Sequence, residues 1–467
     1  MKIYNTLTRK KDDLTERDIG LYVCGPTVYD EPHIGHARSA FVFDVIVRYL
    51  RYSGRKVTFV RNVTDIDDKI IHRAKKEYKT GDIKKKVEEV SAVYLRRYHE
   101  DMDLFGLLRP DVEPKATEVI ADMIDYIRSL IDKGYAYKSN GNVYFEVRRY
   151  NEYGKLSGQS LDEMIEGQRV ALDKSKKDPL DFALWKASKE NEPSWDSPWG
   201  KGRPGWHIEC SVMSTKYLGD KFLIHGGGLD LVFPHHENEV AQTIACGHRS
   251  AKYWIHNGLL TVDGQKMAKS LGNFIKLADF VEKYKDLNIL KVLFLSSHYS
   301  QPVDYCGAKI EEAKKVLEKF NTLIGSVQRK YGTTDADKLP LAAGSVRGFE
   351  QKFKEAMEND FNTPSALAVL LELVKESNKI VNADKDAKKF ALSDCMRSLK
   401  RLSAVLGLSF RQPRAVTEKW AALAMMRREK LRKAKKFREA DQIRNDLEKK
   451  GLIIEDTKEG PKLKWKS

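Results

Sequence analysis

Three groups of residues in this chain have types and spacings suited to chemistry. The first, His33-Ile34-Gly35-His36, opens a stretch of apolar residues at helical spacing. A helix N-terminus presents unpaired N–H groups and a partial positive charge, which favour phosphate, and residues three apart lie near one face. Gly35 leaves open a space where a flat ligand can pack. Taken alone, the histidine pair also fits capping or incidental histidines. The second group, Lys266-Met267-Ala268-Lys269-Ser270, follows the turn Val262-Asp263-Gly264-Gln265. Two lysines on a loop neutralise a triphosphate whose charge grows as pyrophosphate leaves. The third joins Cys24, Cys210, His235 and Glu239. His235 and Glu239 are four apart and share one face if their run is helical. Two thiolates, an imidazole and a carboxylate make a zinc set. The chain has no Cys-x-x-Cys, so a finger or ribbon is excluded, and ligands this far apart require a site assembled by the fold. Spacing leaves a second reading open, in which these are ordinary buried cysteines.

The elements that must position these residues follow from the apolar pattern. Leu21-Tyr22-Val23 is β-prone and stops at Gly25-Pro26. The spacing of Ala40, Phe43, Ile46, Val47 and Leu50 predicts a helix over 36–52, closed by Ser53-Gly54, and alternation predicts a second strand over 56–63. Strand, helix and strand in this order form a βαβ unit, hence a parallel sheet with ligands at the carboxyl ends of its strands. Residues 24–36 and 64–68 fall at those ends. Thr64 and Asp65 are expected there to orient an ammonium group. Gly226-Gly227-Gly228 suits close backbone approach to a nucleoside, with Asp230 accepting from ribose hydroxyls. Trp206 is read either as a cover over a small substrate or as a core tryptophan. His207 and His225 either line the pocket or satisfy backbone groups.

Beyond residue 110 the character changes. Helical runs, a strand over 142–147 and a polar stretch punctuated by Trp185, Trp195 and Trp199 read as an insertion between two halves of the sheet domain. Residues 307–407 are helical throughout, with Thr363-Pro364 as cap and first turn and Leu367, Leu370, Leu371 and Val374 as a bundle face. The last segment, 411–467, holds 18 Lys+Arg and 9 Asp+Glu, so its +9 is over half of the chain's +16. The excess at one end, with Trp420, Phe437 and Trp465 among it, favours a polyanionic partner over a merely solvated face. Five cysteines in 467 residues are no disulfide scaffold and fit a reducing cytoplasm. Residues 1–10 contain no apolar signal core, and no apolar run approaches the ~18 residues of a membrane span.

The histidine motif early and the lysine motif late resemble those of class I aminoacyl-tRNA synthetases, with Ala268 where that class usually has serine. Four longer runs narrow the resemblance: 22–27, YVCGPT; 62–69, NVTDIDDK; 202–211, GRPGWHIECS; and 225–239, from His-Gly-Gly-Gly to Phe-Pro-His-His-Glu-Asn-Glu. Together they are similar to the cysteinyl-tRNA synthetase family over essentially the whole chain. That resemblance implies an α/β fold: a split Rossmann-type parallel-sheet catalytic domain with an insertion domain, then an α-helical bundle and a small basic C-terminal domain. The implied borders are 1–112 and 200–250 for the catalytic halves and 113–199 for the insertion. The stem-contact region with the lysine loop spans 251–306, the bundle 307–410 and the anticodon-reading domain 411–467. ATP-dependent activation of L-cysteine and transfer to tRNA(Cys) is implied, with one zinc per subunit on Cys24, Cys210, His235 and Glu239, and magnesium accompanying ATP. His33, His36, Lys266 and Lys269 take the catalytic roles, Gly35 and Asp230 join them around ATP, and Gly25, Thr27, Thr64, Trp206, His207 and His225 surround the amino acid. A cytoplasmic monomer without membrane contact is expected. The alternatives are a ligase with the same core that passes cysteine to an amino sugar, and a non-enzymatic zinc-dependent nucleic-acid binder. The basic end argues against the former and the intact histidine and lysine motifs against the latter.

Overall fold

Four strands form one parallel sheet in the order Tyr253–Asn257, Phe222–Gly228, Asp18–Val23, Lys56–Arg61. In this computed structural model the described residues are 1–78, 81–167, 175–268, 271–339, 346–382 and 392–410, with parts of 424–465. Val23 pairs with Arg61 on one side and Gly226 on the other, and Gly228 with Asn257, so the carboxyl ends of all four strands lie along one edge. Helix Ile34–Tyr52 crosses between the first two strands in sequence, and helix Glu237–Ala245 between the last two. The second pair is laid beside Asp18–Val23, not beside Lys56–Arg61. The crevice between Asp18–Val23 and Phe222–Gly228 is therefore a topological switch point, where open α/β sheets bind ligands.

The expected helix starts at Ile34, ahead of residue 36, because His33 caps it; the second strand ends at Arg61. Between the halves, strands Ala136–Ser139, Asn142–Phe145, Phe182–Ala187 and Gly202–Pro204 form an antiparallel sheet. Its last strand lies past the expected border at 199. Helix Ile120–Asp132 packs beside this sheet, and Ile127, Leu130, Phe145 and Trp185 share one core with Ile208, Cys210 and Met213 of helix Trp206–Leu218. The insertion thus braces the helix that carries Cys210. Glu237, fully buried, accepts from the backbone N–H groups of Gly154 (2.9 Å) and Ser157 (2.7 Å), which ties the insertion to helix Glu237–Ala245 as well.

Helices Gly307–Tyr331, Arg347–Glu358, Thr363–Asn382 and Leu392–Val405 follow. Leu367, Leu370 and Val374 are buried on the third of these, as their spacing requires. Its cap is Asn362 and not Thr363: the Asn362 Oδ1 accepts from the Ser365 N–H at 3.1 Å. Residues 409–467 make a separate compact unit. There, helix Phe437–Lys449 and the hairpin Leu452–Thr457/Gly460–Trp465 meet at Leu447 and Ile454, with Ala424, Met425 and Ile443 packed against them. Trp420 lies outside the described residues.

Candidate active site

At the crevice, a cleft of about 400 Å³ is lined on one side by Cys24, Gly25, Thr27, His33, Gly35 and His36, and on the other by Trp206, Gly228, Asp230, Asn257 and Lys266. The two histidines cap their helix reciprocally. The Nδ1 of His33 accepts from the N–H groups of Gly35 (3.1 Å) and His36 (3.4 Å), while the Nδ1 of His36 accepts from the His33 N–H at 3.3 Å. Each Nδ1 is thereby an acceptor, which leaves Nε2 as the N–H donor of a neutral ring. Burial lowers the His33 pKa to about 4 and that of His36 to about 3, the latter helped by His33 and Lys69. The rings lie 3.7 Å apart, and a Cβ at Gly35 would come within 2.9 Å of the His33 ring. Gly35 is needed by this closely packed pair in the first place.

Cys24 follows strand Asp18–Val23 directly, and its neighbour Gly25 approaches the second strand so closely that a Cβ would sit 1.6 Å from the Asn62 carbonyl oxygen. The Cys24 Sγ is 3.6 Å from the Cys210 Sγ and 3.5 Å from the Glu239 Oε1, which in turn is 3.1 Å from the His235 Nε2. A tetrahedron with Zn–N/O about 2.0–2.1 Å and Zn–S about 2.3 Å has edges of about 3.3–3.8 Å; two of these separations fall in that range and the third is about 0.2 Å short of it, so the set can close on one zinc ion. A second set, Cys24, His225, His236 and Glu239, shares two of its members. Its His236–Glu239 edge is the longer one, 4.0 Å against 3.1 Å for His235–Glu239. The outer nitrogens are engaged: the His235 Nδ1 meets the His207 Nδ1 at 2.9 Å, and the His236 Nδ1 meets the His256 Nε2 at 2.7 Å. Such outer contacts orient metal-binding imidazoles. Burial raises the pKa of the Cys24 thiol and the Glu239 carboxyl and lowers that of His235. A bound divalent cation would reverse that preference for the thiol and the carboxyl by favouring their ionised forms.

The remaining sequence-derived residues fall in two groups. Trp206 is 38 % exposed, lines the cleft and stacks on His235 with ring centres 4.1 Å apart, which favours the cover over the core tryptophan. Asp230 and Gly228 reach the cleft, whereas Gly226 makes room for Phe43 and Gly227 for His236. Thr64, His207 and His225 lie behind the lining. The Thr64 hydroxyl donates to Glu209 at 2.7 Å, and His225 stacks on Trp254 with its Nε2 3.4 Å from the Cys24 Sγ. The Asp65 carboxylate accepts from the Thr117 N–H (3.0 Å) and hydroxyl (2.6 Å), so it caps the turn Ala116–Val119 instead of facing a substrate ammonium.

Lys266 sits on a hairpin, Leu260–Val262 paired with Gln265–Lys266, whose turn residues Asp263 and Gly264 both have positive φ. Met267 touches Gly35, and the Ile34 N–H donates to the Ile275 carbonyl at 3.0 Å, so the chain flanking the lysine loop runs against the histidine motif. Lys269 and Ser270 lie outside the described residues. Arg38, buried in helix Ile34–Tyr52, donates to the carbonyls of Gly258 (2.6 Å), Leu259, Tyr299 (3.4 Å) and Gln301, holding the base of this hairpin. Sequence reasoning missed Arg38, Tyr29, Arg61, Lys69, Tyr98 and Asn257, all of which line the cleft. Their signal was position: Arg61 and Asn257 end sheet strands, and Lys69 ends the run 62–69.

The fold and cleft define a class I aminoacyl-tRNA synthetase. Residues 10–315 match the model of the tRNA synthetases class I (C) catalytic domain, and 352–411 that of the DALR domain. Methionyl-tRNA synthetase of Mycobacterium tuberculosis in complex with methionyl-adenylate is similar in fold, with a TM-score of 0.60 at 13% identity over 84% of this chain and 90% of that one. Two curated relatives are much nearer in sequence. The cysteine--tRNA ligase of Persephonella marina is 48% identical over 100% of both chains, and that of Thermodesulfovibrio yellowstonii 46% over 98% of both. The chain belongs to the cysteine--tRNA ligase family, a family of ATP-dependent aminoacyl-tRNA ligases.

Proposed function

We propose that this protein activates L-cysteine with ATP, releasing pyrophosphate, and passes the cysteinyl group to the 3′ end of tRNA(Cys). The observation that carries the reading is the meeting of three motifs at one crevice: the neutral histidine pair, the Lys266 hairpin, and Cys24 as a member of the two-thiolate set. Full-length similarity to cysteine--tRNA ligases supports tRNA over an amino sugar as the acceptor. Among the described residues no helix is long and apolar enough to cross a membrane. A cytoplasmic monomer is part of the proposal and rests on the resemblance.

Zinc, when held by Cys24, Cys210, His235 and Glu239, supplies a soft Lewis acid that prefers a thiolate to the hydroxyl of serine. Shape alone separates such near-isosteres by only about 1–3 kcal/mol. Gly25 and Thr27 border the amino acid, and Trp206 lies over it. His225 and His207 hold their positions behind the metal set, and Thr64 holds Glu209 in the wall. For ATP, which brings magnesium, Gly35 and Gly228 leave space and Asp230 accepts from the ribose. The Nε2–H groups of His33 and His36 donate to phosphate oxygens without changing protonation. A carboxylate oxygen of cysteine attacks the α-phosphorus, the bond to pyrophosphate breaks, and Lys266 with Lys269 neutralises the charge that leaves. In the second step a terminal ribose hydroxyl of tRNA attacks the activated carbonyl and AMP departs.

Cysteine-dependent ATP–pyrophosphate exchange by purified protein, followed by charging of tRNA(Cys), tests the reading. Exchange without charging would favour the amino-sugar acceptor. Absence of exchange with cysteine would refute the proposal.

A further inference from the structure

Arg61 ends strand Lys56–Arg61, opposite Val23 in the register, on the edge of the sheet where the cleft opens. It is 5 % exposed and lines the cleft. Among the described residues its guanidinium has no hydrogen-bond acceptor and no carboxylate within 4.0 Å. The neighbours in evidence are the Phe59 ring, 5.0 Å from Cζ, and Gly25, at which a Cβ would lie 3.3 Å from the Arg61 Cγ. Other arginines buried in the same unit have protein partners for their terminal nitrogens, though the Nε of each is unpartnered. Arg38 has its four carbonyls, and Arg203 has Asp68, with Glu192 at 4.0 Å.

A guanidinium is always charged, and one that faces a cleft without a protein partner leaves its fork of donors free for a ligand. The cleft is otherwise cationic: Lys69 and Lys266 line it beside the two neutral histidines, and Asp230 is the acidic residue among the described lining residues. A fork of donors held ready in such a place suits an oxyanion, which it engages through charge-assisted and frequently bidentate hydrogen bonds. We propose that Arg61 is a binding residue for a substrate oxyanion, and that its missing partner is supplied by the ligand. The inference rests on the activation reaction proposed above. In that reaction two oxyanions meet in the cleft, the amino-acid carboxylate and the nucleotide α-phosphate, and both present the oxygen geometry that a guanidinium matches.

The test uses the full zinc-loaded chain with Arg61→Gln and Arg61→Lys. Thermal melting is measured without substrates. Calorimetry follows the binding of L-cysteine, of cysteamine, which is cysteine without its carboxylate, and of ATP. Arg61→Gln removes an uncompensated charge, so it should melt no lower than the parent. It should weaken one substrate about ten- to hundredfold, with Arg61→Lys recovering part of the loss. Weaker cysteine with unchanged cysteamine assigns the carboxylate; weaker ATP with unchanged cysteine assigns the α-phosphate. Unchanged binding of both cysteine and ATP overturns the proposal, whatever the melting temperature. So does an equal loss for cysteine and cysteamine, which would mark a distorted pocket. Failure of the unsubstituted protein to bind cysteine would instead refute the proposed function.

Discussion

At the scale of the residue, the proposed function joins metal and substrate preference in one atom, the Cys210 Sγ. Cys210 is 1 % exposed, and its Sγ faces that of Cys24 at 3.6 Å. Cys210→Ser is nearly isosteric, so the fold should persist while a soft ligand becomes a hard one. Elemental analysis should fall from about one zinc per chain, and cysteine affinity should fall with it. Full metal retention would point to the set containing His225 and His236. The histidine pair gives a prediction of another kind. His36, with its pKa lowered from 6.5 to about 3 by burial, stays neutral in the folded protein while the unfolded chain takes up a proton. Stability should therefore fall as pH drops from 6.5 towards 3, by about 1.4 kcal/mol per pH unit from this group. Urea midpoints of the parent and His36→Asn across that range should diverge by that slope; parallel curves would mean the ring is already charged. The grouping of Cys24, Cys210, His235 and Glu239, and the histidine pair, were legible because they sit in marked motifs, although spacing alone left ordinary buried cysteines open and the family resemblance gave the zinc reading. The placements of Asp65, Gly226 and Gly227 were not legible. Thr117, Phe43 and His236 take up the spaces beside them, and those partners come from distant parts of the chain.

At the scale of the element, the segment that follows Lys266 is tied back by the Asn273 side chain. The Asn273 Oδ1 accepts from the Ala268 N–H at 2.8 Å, and its Nδ2 donates to the Lys266 carbonyl at 3.1 Å. Asn273→Ala should leave stability within about 1 kcal/mol, because the side chain is only half-buried and lies outside the core. Turnover in pyrophosphate exchange should drop about tenfold with the KM for cysteine unchanged, since charge on the leaving group matters in the transition state. A raised KM at normal turnover would place the loop against the amino acid. The strands and helix of the first half were readable because period and turn residues agree there. The π-like widening over Val232–His236, just ahead of helix Glu237–Ala245, was not. The expectation that His235 and Glu239 share a helical face gave the right proximity through a backbone that is only partly helical.

At the scale of the whole molecule, residues 409–467 form their own unit, and most of the net charge lies within 411–467. A chain ending at Leu408 keeps the described cleft and the metal set. It should run pyrophosphate exchange at near the parent rate but charge tRNA poorly, with a shallower salt dependence, because fewer phosphates are neutralised. Both half-reactions measured across a salt series decide it: lost exchange would make the end part of the core, and intact charging would make it a solvated face. The order of strands in the sheet also governs how the protein is made. Strand Asp18–Val23 gains its second neighbour, Phe222–Gly228, only about 200 residues after it leaves the ribosome. At about 5–20 residues per second the nascent first half carries an unpaired, apolar sheet edge for roughly 10–40 s. Through all of that time His235 and Glu239 are still unsynthesised, and Cys210 emerges only near its end. A metal held by these four residues would thus be loaded late in biogenesis, on a chain whose two halves have already found each other, and a chain stalled before Phe222 is left with a sticky margin and no means of sealing it.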